Sequence, residues 1–381
     1  MKKSAVVLVM FAALAGLFCG CSKSDGTSEY EDGKSAFEAR EMKKAERLLV
    51  KSIELAPDSV NAMIMLARVY IELGQMAEAG KIMDKASALD GESFDVKLLT
   101  AQVAWHLRDY DRSFRLFASV ANDAKLDASV RSLGYSGCGV VEMTRSEHDL
   151  ARISFFRAIR MDRRNACAWY HLGLLYRDGF GYNEAALEQF NIFVRLEKVA
   201  DQRVQRVQRM YIPELQEAIA RSAADRPGAS KRNSAASASE IAKAEAAMKR
   251  RNFKTARLSY EAALKSDPLS YPAALGLANC YEKSDVSKTG LQKAFENYKL
   301  ACQLRPSAVS TFLTAGALAM RLGYYAQAVT IYSRALAANP SKLDAIDGLI
   351  RALRKTGVKE KMKIASAYQN YRDSIPVVRK R

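Results

Sequence analysis

The feature that most restricts this chain is a recurrence of about 34 residues. Small residues stand at Ala45, Ala79, Ser113, Ala151, Ala186, Ala256, Ala294 and Ala328, at spacings of 34, 34, 38, 35, 70, 38 and 34. Four residues after each comes a large apolar or aromatic side chain: Leu49, Met83, Phe117, Phe155, Phe190, Tyr260, Tyr298 and Tyr332. Three further on lie Ser52, Ala86, Val120, Ala158, Phe193, Ala263, Ala301 and Ala335, mostly small. Offsets of four and seven put all three positions on one helix face. Pro57, Gly91, Pro268, Pro306 and Pro340 end that helix. A second helical pattern precedes each small residue, so every period encodes a hairpin. One hairpin cannot bury its apolar face alone, and the core must come from stacking.

The upstream pattern is clearest at Trp169, Leu172, Gly173 and Tyr176. In that spacing the chain resembles tetratricopeptide-repeat (TPR) proteins, with eight units and a degenerate ninth near Ile346 to Tyr371 covering about residues 30–375. The resemblance implies an all-α fold: a TPR superhelical solenoid of stacked helix hairpins, here in two blocks. Small residues such as Ala67, Gly139, Gly173, Ala278 and Gly316 let paired helices approach to about 8–10 Å. It also implies a peptide-binding concave face lined by first helices. Carrying the register over places Arg68, Trp105, Tyr170, Arg177, Asn279, Lys283, Arg321, Arg351 and Arg354 there as a partner groove. The family's carboxylate clamp has Lys four residues before an Asn. Leu275 precedes Asn279 instead, so chaperone docking is not implied.

The irregular spacings carry organisation. The two 38-residue intervals predict extra loop residues at 137–148 and 284–290, and the 35-residue interval predicts one in the 177–181 turn. Within the 70-residue gap the pattern predicts a capping helix over 196–222 broken at Pro213, with Arg203, Arg206 and Arg209 as a solvated stripe, then a flexible Ser/Ala-rich linker over 223–238. The expected blocks are 31–195 and 239–376, with a basic tail at 377–381.

The N-terminus has a different character. Lys2 and Lys3 precede an apolar run from Ala5 to Phe18, too short to cross a bilayer of about 20 helical residues but suited to a signal segment. The run closes on Gly20-Cys21 and turns polar at Ser22, which resembles a bacterial lipoprotein signal. The resemblance implies removal of residues 1–20, lipid on Cys21, a tether over 21–30 and, with Ser22 rather than Asp next, the periplasmic face of the outer membrane.

Fifty-nine Lys and Arg against 42 Asp and Glu give +17, a surplus that favours anionic partners. The last forty residues alone hold 11 basic and 4 acidic side chains. Exposed aromatics interleaved with the cations would point to nucleic acid, but the aromatics mostly occupy repeat positions. Catalytic patterns are missing: His106, His148 and His171 lack metalloprotease spacing, and Gly137-Cys138-Gly139 reads as close helix packing rather than a phosphate loop. Cys138, Cys167, Cys280 and Cys302 have no C-x-x-C spacing, and an oxidising compartment would permit Cys138–Cys167 or Cys280–Cys302 bridges.

The expectation is a non-enzymatic, lipid-anchored scaffold without cofactor or metal. Its partners would be envelope proteins or peptides, in envelope assembly, pilus or secretion piloting, or cell-wall enzyme regulation. Two alternatives remain: a basic TPR protein binding anionic lipid or cell-wall polymer through its C-terminal region, and a subunit of an envelope enzyme with a site in the 137–148 or 284–290 loops.

Overall fold

The computed structural model describes residues 26–197, 202–225 and 232–376, and all regular structure among them is helical. Cys21, the signal segment and the 377–381 tail lie outside the described residues. The chain divides into two compact units, 1–172 and 173–381. The division falls upstream of the boundary expected at 195.

In the first unit α1 (Thr27–Glu38) pairs with α2 (Met42–Leu55), α3 (Val60–Glu72) with α4 (Met76–Leu89), α5 (Phe94–His106) with α6 (Tyr110–Asn122), and α7 (Ala128–Thr144) with α8 (His148–Met161). Helix α9 (Ala166–Leu174) straddles the division. The second unit holds α10 (Asn183–Leu196), α11 (Gln202–Arg206) and α12 (Ile212–Ala224). Four further hairpins follow: α13 (Ser234–Lys249) with α14 (Phe253–Ser266), α15 (Tyr271–Ser284) with α16 (Lys288–Leu304), α17 (Val309–Arg321) with α18 (Tyr325–Ala338), and α19 (Leu343–Lys355) with α20 (Lys359–Asp373). Within each unit every second helix also packs on the next first helix.

The periodic residues form the core, as expected. All eight small residues of the series are 0% exposed, and none of the eight large residues four positions on exceeds 5%. The large side chain lies where the first helix has none. A Cβ on Gly139 would stand 2.6 Å from the Phe155 ring, and one on Gly316 2.6 Å from the Tyr332 ring. Real Cβ atoms do not approach so closely, so glycine there is a packing requirement.

The insertions are accommodated differently from expectation. No loop occupies 137–148: α7 runs to Thr144 and turns in three residues, and the four additional residues lengthen its N-terminal end. Four residues are about one helical turn, so they extend the helix without rotating its buried face. In the 284–290 region, α15 and α16 grow toward each other and leave only 285–287 as a turn. The single extra residue near 177–181 is absorbed as a π-helical turn over Leu175–Phe180, the way a helix takes up one residue.

Pro213 does not break the capping helix. A π-helical turn, Val207–Tyr211, runs directly into α12, which begins at Ile212. Proline cannot donate to the carbonyl four residues back and its ring crowds it; widening the turn relieves both. Arg203 is buried rather than solvated, its guanidinium 5.5 Å from the Phe193 ring. The Ser/Ala-rich segment is helical from Ser234 onward, because alanine favours helix and the Asn233 side chain caps the Ala236 N–H at 3.0 Å. No disulfide forms among the described residues: Cys138, Cys167, Cys280 and Cys302 are free and buried.

Gly316→Ala should lower the urea midpoint of the helical signal by the equivalent of about 1–3 kcal/mol, the usual penalty for overpacking. Adding Tyr332→Leu should recover part of that loss if the clash with the ring is its cause.

Candidate functional site

The residues available to a ligand are those that the repeat core leaves on the first helices. Adjacent first helices touch in the order α1, α3, α5 and α7, so residues on them form a continuous face. On it Tyr30, Arg68 and Asp95 interact electrostatically across three hairpins. Burial pushes the Asp95 carboxyl above its usual range while the Arg68 charge pulls it back. Arg68 Nε is buried without a hydrogen-bond partner among the described residues, and its Nη1 reaches only the Met65 sulfur at 3.9 Å. Trp105 donates its indole N–H to Thr144 Oγ1 on α7 at 3.0 Å, bridging two first helices.

Two expected groove residues are not available. Tyr170 is 1% exposed and edge-on to His171 at 5.2 Å, so it belongs to the packed interior. Its helix is buried nearly all round, which a register carried over from one face cannot anticipate. Arg177 sits in the π-helical turn, paired with Asp178 at 2.7 Å and stacked 3.8 Å from the Tyr211 ring centroid. The inserted residue that creates the turn also redirects this side chain.

In the second unit Tyr298 reaches between Asn279 Oδ1 and Glu282 Oε2, 2.7 Å from each. Its single proton goes to the charged acceptor, and burial together with Glu282 raises the phenol well above its ordinary range. Glu282 Oε1 also accepts from Arg321 at 3.0 Å, tying α15 to α17. Glu282 and Tyr298 were not among the expected groove residues. Their signal was present only as an acid beside the groove positions and an aromatic assigned wholly to the core. Arg351 on α19 is exposed; burial raises the Tyr332 phenol above its ordinary range, and the Arg351 charge opposes that rise by favouring the ionised form. Lys283, Arg321 and Arg354 stand in the last turns of their helices, close to the turn edge rather than in mid-face.

Chemical groups do not converge on this face. Among the described residues no three His, Cys, Asp or Glu side chains are placed to hold a metal. Burial pushes the Cys302 thiol up to about 12 and raises Cys138 and Cys280 as well, which disfavours the thiolate each would need as a nucleophile. A cavity of about 170 Å³ in the second unit is lined by Tyr182, Glu184, Glu188, Phe312, Arg334 and neighbouring small residues. Arg334 lies 5.2 Å from the Tyr182 ring centroid, an arrangement suited to binding rather than bond breaking.

The most perturbed carboxyl is Glu142 on α7. Burial pushes it up to about 7, against the Ser154 hydroxyl that donates to Oε2 at 2.6 Å. Glu147 adds to the rise, while Arg157 and Arg145 oppose it. Ser154 and Glu142 are 6% and 7% exposed, which leaves a substrate no approach. The pair is a buried polar tie between α7 and α8.

Comparison with family models finds the same repeat in two stretches of the chain. Tetratricopeptide-repeat models match residues 36–103 and 241–285. No curated protein matches the sequence. A solved structure described as the functional characterisation of Pseudomonas aeruginosa pilF is 15% identical, covering 65% of this chain and 94% of its own, at TM-score 0.40. PilW, described as a widely conserved type IV pilus biogenesis factor, is 13% identical over 53% of this chain and 94% of its own, at TM-score 0.43. YrrB, described as a TPR protein with an unusual peptide-binding site, is 17% identical over 49% of this chain and 93% of its own, at TM-score 0.34. Likeness at this level says nothing about partner or process.

The Glu142 carboxyl makes stability depend on pH. Its folded value of about 7 lies above the ordinary 4.5, so between these the folded state keeps a proton that the unfolded chain has released. Stability therefore falls as pH rises through that window and stays lost above it, by at most about 3 kcal/mol. Glu142→Gln should raise the urea midpoint near pH ~8 while changing it much less near pH ~5.

Proposed function

We propose that this chain is a non-catalytic scaffold that holds an extended protein segment against its first-helix face, and that lipid on Cys21 keeps it at a bacterial envelope membrane. What supports the binding role is the exposed Arg351 and the half-exposed Asn279 on the second unit's first helices, Asn279 being in contact with the Tyr298–Glu282–Arg321 chain of hydrogen bonds. A polar face already organised by such bonds loses little side-chain entropy on binding. Its cations outnumber Glu282, so the segment it fits best carries acidic residues.

The anchor reading rests on the Gly20-Cys21-Ser22 sequence behind a short apolar run. No helix among the described residues is long and apolar enough to cross a membrane. Several acyl chains, each buried CH2 contributing about 0.8 kcal/mol, would hold the chain at the surface. Outer-membrane placement with the repeats in the periplasm follows from Ser22 by the same resemblance. Envelope assembly, pilus or secretion piloting, and cell-wall enzyme regulation are the processes it fits.

The binding role is tested by placing a photo-crosslinking side chain at Asn279 or Arg351 and, as a control, at the exposed second-helix residue Glu296, in cells of the native host. Discrete adducts from the first two positions alone are the expected result. Equal labelling from all three positions, or none from any, would remove the groove. Cys21→Ala should move the protein from the membrane to the soluble fraction; retention of the full-length chain after an alkaline wash counts against lipidation.

A further inference from the structure

In the second unit first helices neighbour first helices, α13 with α15 and α17 with α19. Hairpins stacked in this way bring all their first-to-second turns to one edge. That edge, residues 249–254, 282–289, 320–326 and 354–363, carries twelve Lys or Arg and three acids. Among the described residues only Arg321 of the twelve has an ion pair, with Glu282. The opposite edge carries fewer cations and satisfies most of them locally: Asp267 pairs with Arg232 at 2.8 Å, Lys342 with Asp344 at 3.1 Å, and Arg305 lies 4.3 Å from the Tyr271 ring centroid.

Two observations show that folding alone does not account for these cations. A cation is welcome in the last turn of a helix, where the carbonyls carry partial negative charge, and unwelcome in the first. Lys254, Lys288, Lys359 and Lys361 all stand in first turns; α14, α16 and α18 have no acid there, and α20 has only Glu360 between its two lysines. The first unit treats the corresponding edge differently: Lys43 and Lys44 open α2 without a first-turn acid but pair with Glu46 and Glu41, and the later hairpins follow the dipole rule. Arg40 pairs with Glu72 at 3.1 Å and Arg145 with Asp111 at 2.5 Å, and Glu78, Asp111 and Asp149 open their helices. The second observation is apolar. Val286, Val358 and Met362 stand among the cations at 76%, 41% and 44% exposure, all within the turns or the first turn that follows.

We propose that this edge of the second unit is a docking surface for an anionic bilayer. The lysines and arginines meet headgroup phosphates, and Val286, Val358 and Met362 enter at the level of the upper acyl chains. Exposed apolar side chains among unpaired cations favour lipid over an anionic wall polymer, which offers charge but no hydrocarbon. The inference does not depend on the peptide-binding face or on lipid at Cys21.

The test uses the full chain with Cys19→Ser and Cys21→Ser, carrying an environment-sensitive fluorophore on one introduced cysteine. The four buried cysteines do not compete for label in the folded protein. Probes at Met362→Cys and Val286→Cys should shift to the blue with phosphatidylglycerol-containing vesicles and not with pure phosphatidylcholine. A probe at Ser341→Cys, on the opposite edge, should not shift with either. Adding Lys355→Glu, Lys359→Glu and Lys363→Glu should weaken the vesicle-dependent shift at Met362→Cys about 100-fold in lipid concentration. If that variant loses its helical circular dichroism, salt titration of the parent decides, since screening must abolish the shift. Equal shifts on both vesicle types, equal shifts at all three sites, no shift on either lipid, or a shift with soluble polyglutamate matching that with vesicles would each overturn the proposal.

Discussion

The fold depends on one contact repeated along the chain: a large side chain on the second helix of a hairpin seated over a residue with little or no side chain on a first helix. Phe117 over Gly137, Tyr260 over Gly276 and Tyr332 over Gly348 are the tightest cases, Phe155 over Gly139 and Tyr332 over Gly316 follow closely, and the fully buried alanine series supports the same approach elsewhere. Each large side chain contributes about 1.5–3 kcal/mol when buried, too little to hold one hairpin but enough when every hairpin shares its faces with two others. Because that core uses a fixed set of positions, the remaining positions can vary without threatening the fold. Function in such a chain must be sought in side chains that break the repeat.

The sequence made the core legible because its signal is periodic and each period repeats the evidence. What it did not show were responses to single irregularities. An insertion alters spacing identically whether it becomes a loop, an added helical turn as in α7, or a π-helical turn as at Leu175–Phe180, and only surrounding packing selects among these. Tyr170 and Arg203 were misplaced for a related reason. A periodic argument assigns each helix one buried stripe of apolar residues, whereas α9 is covered nearly all round and on α11 an arginine, Arg203, shares the buried stripe with Val204 and Val207.

The first-helix face was legible as a register and less so as chemistry. Asn279 and Arg351 stand on first helices as expected, but the organising members, Glu282 and Tyr298, come from the margin of the stripe and from a residue assigned to the core. Tyr298 shows why: one ring can fill the space over a first helix while its hydroxyl reaches through to the other side. Aromatic repeat positions with a polar tip are therefore where a packing pattern and a binding surface meet.

The contrast between the two units carries the reading of the basic surplus. A net charge is an average, and it hides that three of the first unit's second helices open on an acid and the lysines opening the fourth are paired, while three of the second unit's open on lysines that have no ion pair among the described residues. Lys254, Lys288, Lys359 and Lys361 oppose the helix dipole with no ion pair among the described residues, Glu360 alone offsetting the α20 lysines. A lipid on Cys21 would fix the chain to a membrane and leave its rotation free. A cationic, apolar-studded edge would remove that freedom for the second unit and hold its first-helix face in a constant attitude to the bilayer. An anchor by itself sets only distance, and a scaffold that must present a groove also needs orientation.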